Sequence, residues 1–193
     1  MVVIKINPPY KHLVQKKNLC GSACIQMILF RHGVWIEQEE LAYKLGTKIN
    51  GKDADLYLMP FRKASDGSSK IGMKLKDFNK PKIKNALKKY RFNIGIHRIS
   101  TVKSPEKFFI KNLKENNDVI INFWWKPING VDFGHYVLLS EFNTVTKKIK
   151  VCDPGQNKRS FWEVRLDKLV KGMNKKFDGN ERGFLVVKSN SDT

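Results

Sequence analysis

A glutamine stands five positions before a cysteine in Gln15-Lys16-Lys17-Asn18-Leu19-Cys20-Gly21-Ser22-Ala23-Cys24, and that cysteine opens an apolar run. Far downstream, Gly134-His135-Tyr136-Val137 opens one β-rich stretch, and Val151-Cys152-Asp153-Pro154-Gly155 closes the next. A thiol, an imidazole and a carboxylate are the parts of a nucleophile, a base and an orienting group. A thiolate attacks where a thiol does not. Both a helix N-terminus and a nearby imidazolium favour the thiolate.

Each residue has a duller reading to beat. A single cysteine is more often an inert buried side chain. Cys20 differs because Gly21 follows it, permitting close backbone approach by a substrate. Gln15 precedes it at a distance suited to donating a side-chain N–H beside the Cys20 backbone N–H, and the two together would hold an oxyanion. Cys24 is expected one turn deeper. Among the histidines, His32 falls at an expected helix C-terminus, where its charge is already explained. His97 lies in a basic alternating run with no carboxylate close in sequence, and His12 has no such setting either. His135 opens a strand after a loop containing Gly130 and Gly134. In an antiparallel hairpin the start of one strand lies beside the end of the next, which brings Asp153 towards His135. Asp-Pro-Gly is also a turn signal, and the two roles are compatible.

Other features carry less. On a strand, successive side chains face opposite ways, so at most one of Trp124 and Trp125 faces a cleft, and core packing is the expectation for the pair. Gly46-Thr-Lys-Ile-Asn-Gly51-Lys52-Asp53 is one residue short of a phosphate-binding loop, and Asp53 replaces the hydroxyl that would hold magnesium. There is no His-Glu-x-x-His and no Cys-x-x-Cys, so neither a metal nor a cofactor is expected.

The elements that must position these groups follow from periodicity and punctuation. Residues 2–6 read as a short strand ended by Pro8-Pro9. A helix is expected from Cys20 to His32 with Gly33 as its stop, and a second from Ile36 to Leu45 closed by Gly46. Residues 46–79 read as loops with one short helix around Asp55–Lys63. Pro81–Tyr90 reads as a basic amphipathic helix and Phe92–Ile99 as a strand. Ser104-Pro105-Glu106 caps a helix running to about Glu115. Short β-branched or aromatic runs then follow at Val119–Trp125, His135–Phe142, Lys148–Cys152 and Phe184–Lys188, with a short helix near Leu166–Met173. Helices first and antiparallel strands later make an α+β pattern. A single domain over 1–193 is expected, with a helical half over about 10–115 and a β half over about 117–190.

Hydrophobic residues at 41% suffice for a core, and no apolar run reaches the length of a membrane span. Three cysteines cannot all pair, and the N-terminus lacks a basic region followed by a long apolar core. A cytoplasmic setting is expected, or secretion as an effector by a leaderless route. Thirty-seven Lys and Arg against 18 Asp and Glu give a net charge of +19. The lysines are scattered in pairs such as Lys88-Lys89 and Lys175-Lys176, which favours solvated faces over a binding tract. A nucleic acid or other anionic partner is the competing reading.

Taken together, Gln15-x4-Cys20-Gly21-x-Ala23, Met27, Gly33, Gly134-His135-Tyr136-Val137 and Val151-x-Asp153-Pro154 resemble the papain-like cysteine peptidases of the C39 type, the bacteriocin-processing family and its stand-alone relatives. They also resemble the AvrRpt2-type bacterial effector proteases. The resemblance spans roughly residues 10–155. It implies a papain-like fold with the nucleophile at a helix start, packed on a C-terminal antiparallel sheet. It also implies Cys20 as nucleophile, His135 as general base, Asp153 as orienting carboxylate and Gln15 in the oxyanion hole. Two departures stand out: Leu19 replaces the aspartate often found before the cysteine, and the cysteine-to-histidine segment reads longer than in compact members. Membrane and ATPase domains of transporter-linked members are not seen, so double-glycine leader cleavage during export is not expected. The expected activity is peptide or amide hydrolysis on a peptide or protein substrate. Alternatives are a deamidase or acyltransferase acting as an effector or toxin, with an immunity or inhibitor protein as partner, and a basic nucleic-acid-binding or nuclease toxin.

Overall fold

The computed structural model describes residues 2–64, 71–155, 159–174 and 179–190. Ser65, Gly67, Ser68, Ser69 and Lys175-Lys176 therefore lie outside the described residues. In chain order come β1 (Val3–Lys5), α1 (Cys20–Arg31), α2 (Gln38–Lys44), β2 (Lys48–Asn50), β3 (Arg62–Ala64), α3 (Pro81–Lys88), β4 (Phe92–Arg98), α4 (Pro105–Lys114) and β5 (Asp118–Trp124). These are followed by α5 (Lys126–Asn129), β6 (Gly134–Asn143), β7 (Lys148–Cys152), β8 (Phe161–Arg165), α6 (Leu166–Lys171) and β9 (Gly183–Ser189).

The main sheet has seven strands, six of them in the order β4-β9-β5-β6-β7-β8 and the seventh, β1, joined to β6. The pairings along it are antiparallel. β1 takes the stretch of β6 that β5 leaves free, with Val3–Lys5 facing residues 141–143. β5 is buried along nearly its whole length, held between β9 and β6 with α4 packed against it. α1 packs on β6, and its residues 21–29 are all buried, so this helix is apolar on nearly every side instead of one. The core joins Met27, Ile28, Phe109, Phe123, Leu138, Phe142 and Phe184. Ser104 caps α4 by accepting from the Lys107 N–H, with Pro105 at the first helical position, as its sequence requires.

The α+β expectation holds, with helices packed on an antiparallel sheet. One local expectation does not. The helix proposed around Asp55–Lys63 is instead a 3-10 turn over Gly51–Leu56 followed by β3, which pairs in parallel with β2. Asn50 fixes that turn by accepting from the Lys52 N–H. β8, unforeseen, is added beyond β7 through Trp162 and Val164. The strand expected over Phe92–Ile99 forms as β4 and pairs with β9.

Candidate active site

α1 begins at Cys20, and the residue before it, Leu19, offers no side-chain cap. A serine or aspartate there would occupy first-turn N–H groups, which a leucine leaves pointing outward. No acidic residue sits in the first turn either. Leu19 is instead fully buried in a small cluster with Ala42, Ile49 and Phe61, which gives the departure at this position a packing reason. Cys20 is half-buried while Cys24, one turn on, is fully buried.

The hairpin of β6 and β7 pairs Leu138 with Cys152 and so carries His135 and Asp153 to the same end. His135 Nε2 donates to Asp153 Oδ1 at 2.6 Å. Cys20, at the start of α1, lies near enough to the same ring to be among the groups that raise its pKa. With Nε2 engaged by the carboxylate, Nδ1 is the nitrogen left for the thiol. Burial acts to lower the His135 pKa, but the hydrogen bonds and charges of Asp153 and Cys20 outweigh it and raise it to about 9. The imidazolium is therefore the resting form at neutral pH, which is the form that holds a thiolate. Burial likewise pushes Asp153 up, and His135, the Gly155 N–H and Trp162 together hold its carboxyl below the usual range.

Several residues that sequence reasoning did not single out build this carboxylate. Trp162 Nε1 donates to Asp153 Oδ2 at 2.7 Å, and the Gly155 N–H donates to Oδ1 at 2.7 Å. A Cβ on Gly155 would lie 3.0 Å from that same oxygen, so the tight return of the chain favours glycine there. Trp125 stacks on the His135 ring at 5.6 Å between centroids and meets Trp162 at 5.1 Å. The expectation of core packing holds for Trp125, which packs against the core and covers the imidazole, and is corrected for Trp124, which lines a cleft. Trp124 ends β5 and Trp125 turns in a helical conformation into α5, which is why they part.

Gln15 sits on a segment tied to the same turn. Its backbone N–H donates to Pro154 O at 2.7 Å, and His12 Nε2 donates to Asp153 O at 2.8 Å. The rest of the loop before Cys20 is pinned by α2 and the 3-10 turn. Gln38 Nε2 donates to Val14 O, and Lys17 Nζ and Asn18 Nδ2 both reach Asp53. Lys16 pairs with Glu39, and the Tyr57 hydroxyl donates to Lys17 O. Asn18 takes a left-handed conformation at φ 65°, which turns the chain into α1. Asp53 thus acts as a structural anchor of the nucleophile loop. A Cβ added to Gly21 would meet the rings of Phe78 and Tyr136 at 3.5 Å, an ordinary contact distance, so packing alone does not require glycine there.

The other histidines have different work. His32 caps the end of α1 and bonds Asp118 at 2.8 Å, and burial lowers the His97 pKa on β4, with Lys188 adding to the effect. Cys20 also lines a cleft of about 560 Å³ bounded by Tyr136, Trp124 and Arg182. A sulfur open to a cleft, an imidazolium beside it and a carboxylate behind the ring can attack a carbonyl carbon and then return a proton to the leaving group.

Comparison with known proteins points the same way. The family model described as Peptidase_C39 like family matches residues 7–175. Among solved structures, a C39-like peptidase from Bacillus anthracis superposes with a TM-score of 0.61 at 15% identity, covering 97% of this chain and 98% of that one. A double glycine motif protease from an AMS/PCAT transporter, in complex with its leader peptide, gives a TM-score of 0.51 at 16% identity, covering 98% and 100%. At these identities the likeness is one of fold. No sequence among the curated proteins matches.

Proposed function

Because the chain belongs to the Peptidase_C39-like family, we propose that it is a cysteine peptidase in which Cys20 is the nucleophile, His135 the proton carrier and Asp153 the group that fixes the imidazole. The observation that carries this reading is the buried His135–Asp153 pair at 2.6 Å, with Cys20 close enough to raise the His135 pKa and open to the cleft it lines. The thiolate adds to the scissile carbonyl carbon, and the carbonyl electrons move to oxygen. The oxyanion is held by the Cys20 backbone N–H at the start of α1 and by the Gln15 side chain. Collapse expels the amine, which takes its proton from the imidazolium and leaves a thioester. Water, losing a proton to His135, then attacks the thioester, freeing the acid and restoring the thiolate beside the imidazolium. A peptide substrate is supported by the relative that holds a leader peptide.

The test is chemical as well as kinetic. Burial, with the neighbouring Cys20 and Cys152, pushes the Cys24 thiol well up, and burial pushes Cys152 up to about 12, so both should resist alkylation. An iodoacetamide- or E-64-like probe is expected to label Cys20 alone by peptide mass spectrometry, and Cys20→Ala should abolish peptide hydrolysis. Hydrolysis that survives Cys20→Ala would refute the mechanism. A product heavier by about one dalton with the chain uncut would assign the same thiol to deamidation instead.

A further inference from the structure

Residues 7–19, which lead into α1, form neither helix nor strand, yet they are tied down along their length. Towards one end the buried Tyr10 donates to Asp118 Oδ1 at 2.8 Å. Two further bonds converge on the turn that carries the orienting carboxylate. His12 Nε2 donates to the backbone oxygen of Asp153 at 2.8 Å, and the Gln15 N–H donates to that of Pro154 at 2.7 Å. Between them the Leu13 N–H reaches the sulfur of Met27 on α1 at 3.3 Å. The Cys152 thiol, at the end of β7, meets that same sulfur at 3.7 Å. The fully buried Met27 therefore joins the helix of the thiol, the segment of the glutamine and the strand of the carboxylate. The turn is itself fixed from the β8 side, where the Asp153 N–H donates to Ser160 O at 2.8 Å.

We propose that His12 is a positioning residue for oxyanion stabilisation, holding Gln15 in register with Cys20 through the backbone of the Asp153-Pro154 turn. The proposal rests on the peptidase reading above and adds a residue to it. A carbonyl oxygen only accepts, so the His12 ring carries a proton on Nε2. A single bond from Gln15 to the turn is a hinge. The second bond, from His12, converts that hinge into a two-point clasp, and Met27 sets its distance from α1. A donor stabilises an oxyanion only when held within about 0.5 Å of its productive place. An irregular segment has no helix or sheet ladder to supply that precision, so bonds of this kind must supply it. The same turn grips the imidazole through the Asp153 side chain and the glutamine segment through its backbone, so base and oxyanion donor are gauged from one reference. His12 acts on the Asp153 backbone and leaves the side-chain oxygens to other donors, which makes the two roles separable.

Two reagents on the full chain separate them. Iodoacetamide alkylates a thiolate by direct displacement of iodide and forms no oxyanion, whereas p-nitrophenyl acetate acetylates it through a tetrahedral oxyanion and releases p-nitrophenolate. Both rates are measured with the modified cysteine mapped by peptide mass spectrometry, and the acylation-to-alkylation ratio is compared. His12→Phe keeps a ring and loses the donor. It is expected to lower the ratio about fivefold or more, with alkylation of Cys20 staying within about twofold of the parent. His12→Gln, whose amide N–H reaches the same oxygen, is expected to restore the ratio to within about twofold. His12→Asn falls short of that oxygen and should behave as His12→Phe does, which covers failure of the latter to fold. Because His12 acts through Gln15, adding His12→Phe to Gln15→Ala should lower the ratio no further than Gln15→Ala alone. An unchanged ratio in His12→Phe and His12→Asn, alkylation that falls as far as acylation, absence of rescue by His12→Gln, or additive losses in the double variant overturns the proposal. If Gln15→Ala lowers the ratio and the His12 variants do not, the peptidase reading stands without the clasp. A parent whose Cys20 is alkylated but never acetylated sinks the peptidase reading itself, and the clasp with it.

Discussion

Asp153 divides its two oxygens among three donors, His135, the Gly155 N–H and Trp162, and each bond has its own consequence. Asp153→Asn removes the charge that holds the imidazolium, so kcat/KM is expected to fall on the order of 10²-fold or more. The alkaline limb of the pH–rate profile, set near 9 by His135, should move down towards ordinary histidine values in that variant. A limb that stays in place would show that Asp153 does not tune the ring. Trp162→Phe keeps the ring stack against Trp125 and deletes one charge-assisted bond, for an expected loss of about tenfold in kcat/KM. At this scale the proposed reacting groups were legible because they sit at element ends beside punctuation: Cys20 opens a helix, His135 follows a glycine and Asp153 precedes Pro-Gly. Trp162 and Asn122 were not, since a tryptophan or asparagine in an apolar run reads as packing until its partner on the neighbouring strand is known.

α1 is held at both ends by different means. Its first turn carries Cys20, and its last is clamped by Arg31, whose Nη1 meets both oxygens of Asp118 at 3.0 and 3.1 Å, with Tyr10 and His32 completing the cluster. The Arg31 and Asp118 side chains are each 1% exposed. Asp118→Asn leaves the guanidinium buried without its counter-charge, which costs about 3–5 kcal/mol in comparable pairs. For a domain of this size that corresponds to a drop in Tm of roughly 6–20 °C by calorimetry. Activity per folded molecule should change little, because the cluster lies at the opposite end of the helix from the thiol. Most elements could be read from sequence within a residue or two, helped by Gly33, Gly46 and the Ser104 cap. β2, β3 and β8 could not. They are three to five residues long, and their pairing is decided by distant partners instead of local propensity.

For the molecule as a whole, the buried His135–Asp153 pair links stability to pH from both sides. His135 is raised from 6.5 to about 9 on folding, so its contribution is full below 6.5 and is lost as pH climbs through about 9. Asp153 is lowered from 3.8, so its contribution is present above that value and is lost as pH falls through the lower folded one. Thermal denaturation followed across pH should therefore show a plateau between about 4 and 6.5, with decline on the alkaline side by pH 9. A Tm still rising at pH 9 would contradict the assigned pair. The net charge of +19 adds a second expectation. Self-repulsion should be relieved by salt, so Tm is expected to rise by a few degrees between about 20 and 300 mM NaCl.

The position of β9 has a further consequence. It is late in sequence yet lies between β4 and β5, pairing with both along seven and five residues respectively. A nascent chain halted before Gly183 already contains the thiol, the imidazole and the carboxylate, but the sheet beneath them is missing an interior plank. During synthesis the proposed activity is thus expected to be absent until β9 has emerged and paired with its two neighbours. Ribosome-bound chains stalled before and after that strand, exposed to a thiol-reactive peptide probe, would reveal when the switch-on occurs.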